Sequence, residues 1–306
     1  MSSIVGDGPA APVSLIDSQA AAKGFKDAAF KALMYLCIGV ALGTLVTLLI
    51  YVFGTGRSRI GSDLYQLQPS QRPARAGYQS ALVGSLLVVV TAALLTVPLG
   101  VAAALYLEEF AHKRRWYNRM LELLIQNLAG VPSIIYGILA LGFIARKGAF
   151  GIGLGWGFTV GTAALTLALV VLPTVIIASR EAIRAVPPSL RSGGLALGAT
   201  QWQTTWRQVL PSAVPGIATG TILAVSRALG ESAPLLLVGG VTFITKNPDS
   251  LESPFSVMPL MIYNYISQSR DGFVELAAAG IALLLVVLLA MNSIAIFVRN
   301  KFQRKW

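Results

Sequence analysis

The chain is 306 residues long, 55% hydrophobic and only 12% charged, with a formal net charge of +11 and a mean hydropathy of +0.69. Soluble domains carry charge at about 25% of positions, so half the usual charge is missing and an ordinary soluble fold is excluded. Apolar runs near the ~20-residue spanning length recur along the chain and mark a polytopic membrane protein. In such a chain the basic excess points to cytoplasmic loops rather than to nucleic acid, and the single cysteine, Cys37, excludes an internal disulfide.

Residues 1–31 form a polar cytoplasmic tail with Pro9 and Pro12. No apolar signal core precedes the first span, so no cleaved signal peptide is expected. Six spans follow, at 32–53, 79–106, 121–145, 156–178, 213–243 and 273–298. Unpaired backbone groups are costly in lipid, and no β-barrel alternation is visible, so each span is expected to be a helix. The organisation reads as a first span with its outer loop (32–75), a transmembrane domain (76–300) and a short cytoplasmic tail (301–306).

Lysine and arginine set the orientation. With the N-terminus inside, the inner segments hold fifteen of the 24 basic residues, among them Lys113, Arg114, Arg115, Arg180, Arg184, Arg191, Arg304 and Lys305. The outer segments hold eight, including Lys147, and Arg227 completes the set. The bias places both termini in the cytoplasm.

Helix breakers interrupt several spans: Pro98, Gly130-Val131-Pro132, Pro173 at the close of the fourth, and Pro234 in the fifth. In lipid such breaks persist only where protein or a water-filled cavity satisfies the freed groups. Gln126, Asn127, Ser133 and Tyr136 flank the third-span break. A kinked helix in a tight bundle and a discontinuous helix lining a pathway both fit this pattern.

Between the fourth and fifth spans runs a polar segment, about 180–212, that is too hydrophilic to cross. Pro187-Pro188 ends one helix and Ser189 is placed to cap the next. That helix carries Leu190, Leu195 and Leu197 and stops at Gly198. A second amphipathic segment, with Trp202, Trp206, Val209 and Leu210 at helical spacing, is expected to end at Pro211. On composition alone this is a structured projection or an interfacial loop with tryptophans at headgroup level.

The stretch LALGATQWQTTWRQVLP resembles the cytoplasmic loop of binding-protein-dependent ABC importer permeases. In that family the pattern is Glu-Ala-Ala, three residues, Gly, nine residues, Ile, one residue, Leu-Pro. Gly198, Leu210 and Pro211 fall at the matching places, whereas Ser192-Gly193-Gly194 stands for Glu-Ala-Ala and Gln208 for Ile. The resemblance implies that Ser192, Leu197, Gly198, Trp202, Trp206, Leu210 and Pro211 meet a separate ATPase subunit. Three further stretches, Asn127–Gly142, Glu181–Arg191 and Arg227–Leu236, are similar to the PstA family, the A-type permeases of bacterial phosphate importers. What this implies is a type I importer permease fold in the bacterial inner membrane. It also implies a heterodimer with a second permease, an ATPase dimer, an external phosphate-binding protein, and inorganic phosphate as cargo.

Arg227 and Glu231 are the only charges between Arg207 and Lys246. A charge near the bilayer centre costs about 2.5–3.5 kcal/mol on insertion scales and usually faces a pathway. Arginine stays charged and offers a planar fork to phosphate oxygens. Arg227, Glu231, Asn127 and Ser133 are therefore the candidate substrate pathway. The competing reading is an intrahelical ion pair at i, i+4, in its weaker order. Another oxyanion such as molybdate or sulfate fits the same chemistry. An ion-gradient transporter would call for an inverted repeat or several intramembrane carboxylates; no repeat is evident, and Glu231 is the single carboxylate deep in a span. His112, alone among cations, reads as solvated, and no cofactor or metal site is expected. No phosphate-cradling GxxxxGK[ST] loop occurs, so the chain is not expected to be an enzyme, and ATP hydrolysis falls to another subunit.

Overall fold

The computed structural model describes residues 14–112, 115–146, 153–240, 243–268 and 270–302. Lys113, Arg114, Lys147, Arg304, Lys305 and the prolines of the N-terminal tail lie outside them. Among the described residues the regular elements are all helices, with one isolated bridge between Thr159 and Pro254. In chain order the helices are α1 (Ser14–Gly56), α2 (Ser62–Gln66), α3 (Gln79–Leu105), α4 (Trp116–Ala129), α5 (Ser133–Ala140) and α6 (Val160–Arg184). They continue as α7 (Pro188–Ala196), α8 (Gln201–Thr204), α9 (Leu210–Leu229), α10 (Ala233–Leu237), α11 (Met258–Ile266) and α12 (Asp271–Phe302).

Five helical runs are long and apolar enough to cross a membrane: Asp27–Arg59, Gln79–Phe110, Val160–Arg184, Gln201–Leu229 and Gly272–Lys301. A further run, Trp116–Ala129 with Ser133–Ala145, is long and apolar enough only as a pair, and it bends by 99° at its break. The chain divides into two units, residues 1–54 and 55–306. The first is described by α1, whose apolar side chains Phe30, Leu36 and Ile50 are exposed, as lipid-facing side chains are.

In the second unit α6 is the central helix: 61% of its most apolar stretch is buried, against 28% for α3. Small residues let it sit this deep. Gly216 and Gly220 of α9 lie against Ala178 and Ala182 of α6, so that a Cβ at Gly220 would come within 2.5 Å of the Ala178 Cβ. This is the small-xxx-small packing by which membrane helices gain dispersion contacts where no hydrophobic drive exists. Thr96 of α3 donates to the Ala168 carbonyl of α6. Val88, Ala92, Leu167, Val171, Ala224 and Leu235 fill the core between these helices.

Several expectations about prolines change. Pro173 does not close the fourth span; α6 runs through it to Arg184, and α3 runs through Pro98. Pro211 does not end the loop helix either. The helix continues from Gln201 to Leu229 because a π-turn, Thr205–Val209, widens the ladder just before the proline. The Leu210 N–H bonds back to the Thr205 carbonyl there. An i→i+5 turn relieves the clash that a proline ring makes with the preceding turn. The helix of the fifth span accordingly starts before residue 213 and breaks after Leu229 instead of running on to 243.

Candidate functional site

Two helices break at the same level of the bundle. In the third span, Gly130 caps α4, its N–H bonding to the Asn127 carbonyl at 3.0 Å, and α5 starts after Pro132. In the fifth span, Gly230 caps α9, its N–H bonding to the Arg227 carbonyl at 3.1 Å, and α10 starts with Pro234 in its first turn. The two half-helices that follow meet directly. A Cβ at Gly137 of α5 would lie 2.7 Å from the Pro234 Cα and 2.8 Å from its carbonyl oxygen. Only a residue without a side chain allows that backbone contact.

A cavity of about 250 Å³ lies where the breaks meet α6. Leu128–Ser133 and Tyr136 form one wall, Val170, Val171 and Thr174 a second, and Ala224, Arg227, Ala228 and Glu231 the third. The break separates Arg227 from Glu231. Arg227 belongs to the last turn of α9, and Glu231 stands outside it, so the two do not share a helix face. Among the described residues neither forms an ion pair, with the other or with a third group. The intrahelical pair is therefore not what places these charges in the span.

The cavity combines one guanidinium with the hydroxyls of Ser133 and Thr174 and with the start of α5. The first turn of a helix has N–H groups unpaired within the helix and the positive end of its dipole. These are donors of the kind a tetrahedral oxyanion accepts from, and Glu231 sets a carboxylate on the same wall. Tyr136 braces the break by donating to the Leu128 carbonyl at 2.8 Å. A larger groove of about 560 Å³ between α3, α9 and α12 is apolar except for Thr221 and Arg299, and offers an anion much less.

Arg227, Glu231 and Ser133 thus come together, and Asn127 does not join them: its side chain is exposed, and only its carbonyl serves the break. Thr174 is a lining residue that the sequence reading missed. It follows Pro173, which read as the end of a span, so its place on the inner face of a continuing helix was hidden.

At the loop, α7 is N-capped by Pro187 without a side-chain hydrogen bond, so Ser189 is not the cap. Gly198 stops the helix with φ of +81°, in the left-handed region that favours glycine. Thr200 and Gln203 then form a capping box that starts α8. Leu197 is 88% exposed, and Leu195, Trp202 and Trp206 are also exposed. The two indoles stack at 5.4 Å with planes 9° apart. Ser192 is exposed and donates back to the Pro188 and Ser189 carbonyls. Leu210 and Pro211 follow the π-turn, where Leu210 packs beside Val209 and Ala213. The two departures from the permease pattern also meet: a Cβ at Gly194 would lie 2.9 Å from the Gln208 Oε1.

Residues 96–304 match the family described as the binding-protein-dependent transport system inner membrane component. The probable ABC transporter permease YqgI of Bacillus subtilis is 30% identical over 88% of this chain and 94% of its own length. The phosphate transport system permease protein PstA of Haemophilus influenzae is 31% identical over 89% and 92%. PstA 1 of Mycobacterium tuberculosis is 35% identical over 69% and 67%. Among solved structures, a bacterial alginate ABC transporter superposes with a TM-score of 0.62 at 20% identity, over 89% of this chain and 95% of that one. The MetNI methionine transporter superposes with a TM-score of 0.54 at 15% identity, over 72% and 94%. With its helical spans, its loop and this match over two thirds of its length, the chain belongs to the inner-membrane permease components of binding-protein-dependent ABC importers.

Proposed function

We propose that this chain is one of two permease subunits of an ATP-driven importer of inorganic phosphate, with the pathway running through the Arg227 cavity. The observation that carries the reading is Arg227 itself. It is a permanent cation on the wall of a cavity between two broken helices, with no carboxylate partner among the described residues. A charge so placed is costly unless an anion visits it. Relatives named as phosphate transport system permeases support phosphate as that anion. In this reading Arg227 and Ser133 donate to phosphate oxygens. Glu231 prevents trapping, since a conducting site must release what it binds.

The loop is the second half of the proposal. Leu197, Gly198, Trp202 and Trp206, with Ser192 beside them and Leu210 and Pro211 behind, form the face that meets the ATPase subunit. The full assembly in this reading is a permease heterodimer on an ATPase dimer, fed by an external phosphate-binding protein.

The test uses the complete complex in proteoliposomes. Arg227→Gln is expected to abolish phosphate uptake while assembly and ATP binding persist. Normal uptake by that variant, or loss of assembly, would overturn the pathway role. Competition by molybdate or sulfate equal to that of unlabelled phosphate would replace the cargo.

A further inference from the structure

A second π-turn, Tyr106–Phe110, ends α3, and it binds in two directions. Toward the loop, the Arg191 guanidinium of α7 holds Glu109 through Nε at 3.0 Å and Nη2 at 2.8 Å. The same guanidinium donates to the Ile183 and Val186 carbonyls at 2.8 and 2.7 Å. The Gln201 amide donates to the Glu109 carbonyl, and Trp202 packs on Phe110 at 5.9 Å. These ties bind α7 and α8 to the π-turn and to the end of α6.

Toward the bundle, the neighbouring Glu108 accepts from Arg180 Nε of α6 at 2.7 Å. The other side of that guanidinium, Nη2, reaches Glu122 of α4 at 2.6 Å. Arg184 lies 2.9 Å from Glu108 and 3.5 Å from Glu122. α4 then runs straight from Glu122 to the cavity wall that begins at Leu128, a rise of about 9 Å. There the 99° break follows.

The two pairs made by Arg180 differ in exposure. The Glu108 side chain is 4% exposed and that of Glu122 is 38% exposed. Losing one partner of a buried pair leaves an uncompensated charge, whereas a partly exposed pair exchanges with water at little cost. A cavity of about 350 Å³ lies beside it, lined by Asn118, Arg119 and Glu122 among others. The Glu108 pair therefore anchors Arg180 on the π-turn, and the Glu122 pair carries that anchor on to α4 at a place where its loss leaves no buried charge.

We propose that Glu122 and Arg180 are positioning residues: their ion pair passes movement of the cytoplasmic loop to α4, and so to the cavity wall at Leu128–Pro132. The inference rests on the reading of that loop as the ATPase contact. Its test needs no cargo. Val131→Cys, in a Cys37→Ser background, gives a cavity-wall thiol in the assembled transporter, and its alkylation rate is measured with and without ATP plus vanadate. In the parent the nucleotide is expected to change that rate about threefold or more, the size of coupling carried by single contacts. Glu122→Gln should erase the change, Glu122→Asp should keep most of it, and the melting temperature should stay close to the parent's. A Glu122→Gln variant with the parent's full nucleotide response overturns the strut alone, as does a melting temperature lowered in step with the lost response. A parent that ignores nucleotide overturns the ATP-driven reading on which the strut stands. Should Glu122→Gln not assemble, Arg180→Lys is measured instead; it keeps the charge without the fork, and an undiminished response there overturns the proposal.

Discussion

The arginines at the two ends of one bundle are treated in opposite ways. Near the loop, Arg180, Arg184 and Arg191 are all held by carboxylates, and Arg180 is held by two. At the cavity, Arg227 has none among the described residues, although Glu231 lines the same wall. A paired guanidinium ties helices together, and an unpaired one leaves its donors free, which is what the proposed pathway role of Arg227 calls for.

The largest expected effect breaks the structural side of this contrast. Arg180→Ala leaves Glu108 buried without its main partner, a change that costs about 3–5 kcal/mol when nothing replaces the partner. Arg184 at 2.9 Å remains and draws the loss toward the lower figure. Arg227→Ala removes no such pair and is expected to move stability by less than about 0.5 kcal/mol. Thermal melting of the extracted complex checks both. Equal losses would erase the distinction between the two ends.

How much of this was legible in the sequence follows the same divide. Arg227 stood out because it is a lone cation in an apolar run, and the breaks at Gly130–Pro132 and near Pro234 could be read from local chemistry. Gly198 was readable as a helix stop for the same reason. The ion-pair node was not, because Arg180 finds its partners 72 and 58 positions away, and sequence spacing carries no trace of that. These arginines were counted only as inner cations. Glu108, near the end of the run Gln79–Phe110, was passed over for the same reason. Prolines 173 and 211 misled because a proline's effect depends on whether the turn before it can widen or be packed, which is a tertiary matter. The end of α9 at Leu229 was masked by an apolar sequence that continues past it.

Sharpening the cavity side requires a change at the seam between the half-helices. Gly137→Ala sets a methyl group against the Pro234 backbone, and backbone has no rotamer to yield. Overpacking of this kind costs about 1–3 kcal/mol. Lower thermal stability together with impaired uptake is expected, and a variant that melts with the parent would show that α5 and α10 part easily. At the loop, Gly198→Ala meets open space but a φ of +81°, so the cost is conformational alone, about 1–2 kcal/mol. That strain is expected to weaken co-purification of the ATPase subunit before it lowers the melting temperature of the bundle.

The smallest effect separates two neighbouring glycines of α7. Both replace alanine in the permease pattern, and helix propensity alone would make either one better as alanine by about 0.5–1 kcal/mol. Their surroundings differ. A Cβ at Gly193 meets nothing within 4 Å, while at Gly194 it would lie 2.8 Å from the Thr204 Oγ1 and 2.9 Å from the Gln208 Oε1. Thr204 is buried and β-branched, so it yields poorly. Gly193→Ala is therefore expected to slow proteolysis of the loop, and Gly194→Ala to hasten it. The double change Gly194→Ala with Gln208→Ile restores the family's residues at both contacting positions and is expected to recover part of that loss. Recovery would mean that the two departures compensate each other; an additive loss would make Thr204 alone the obstacle.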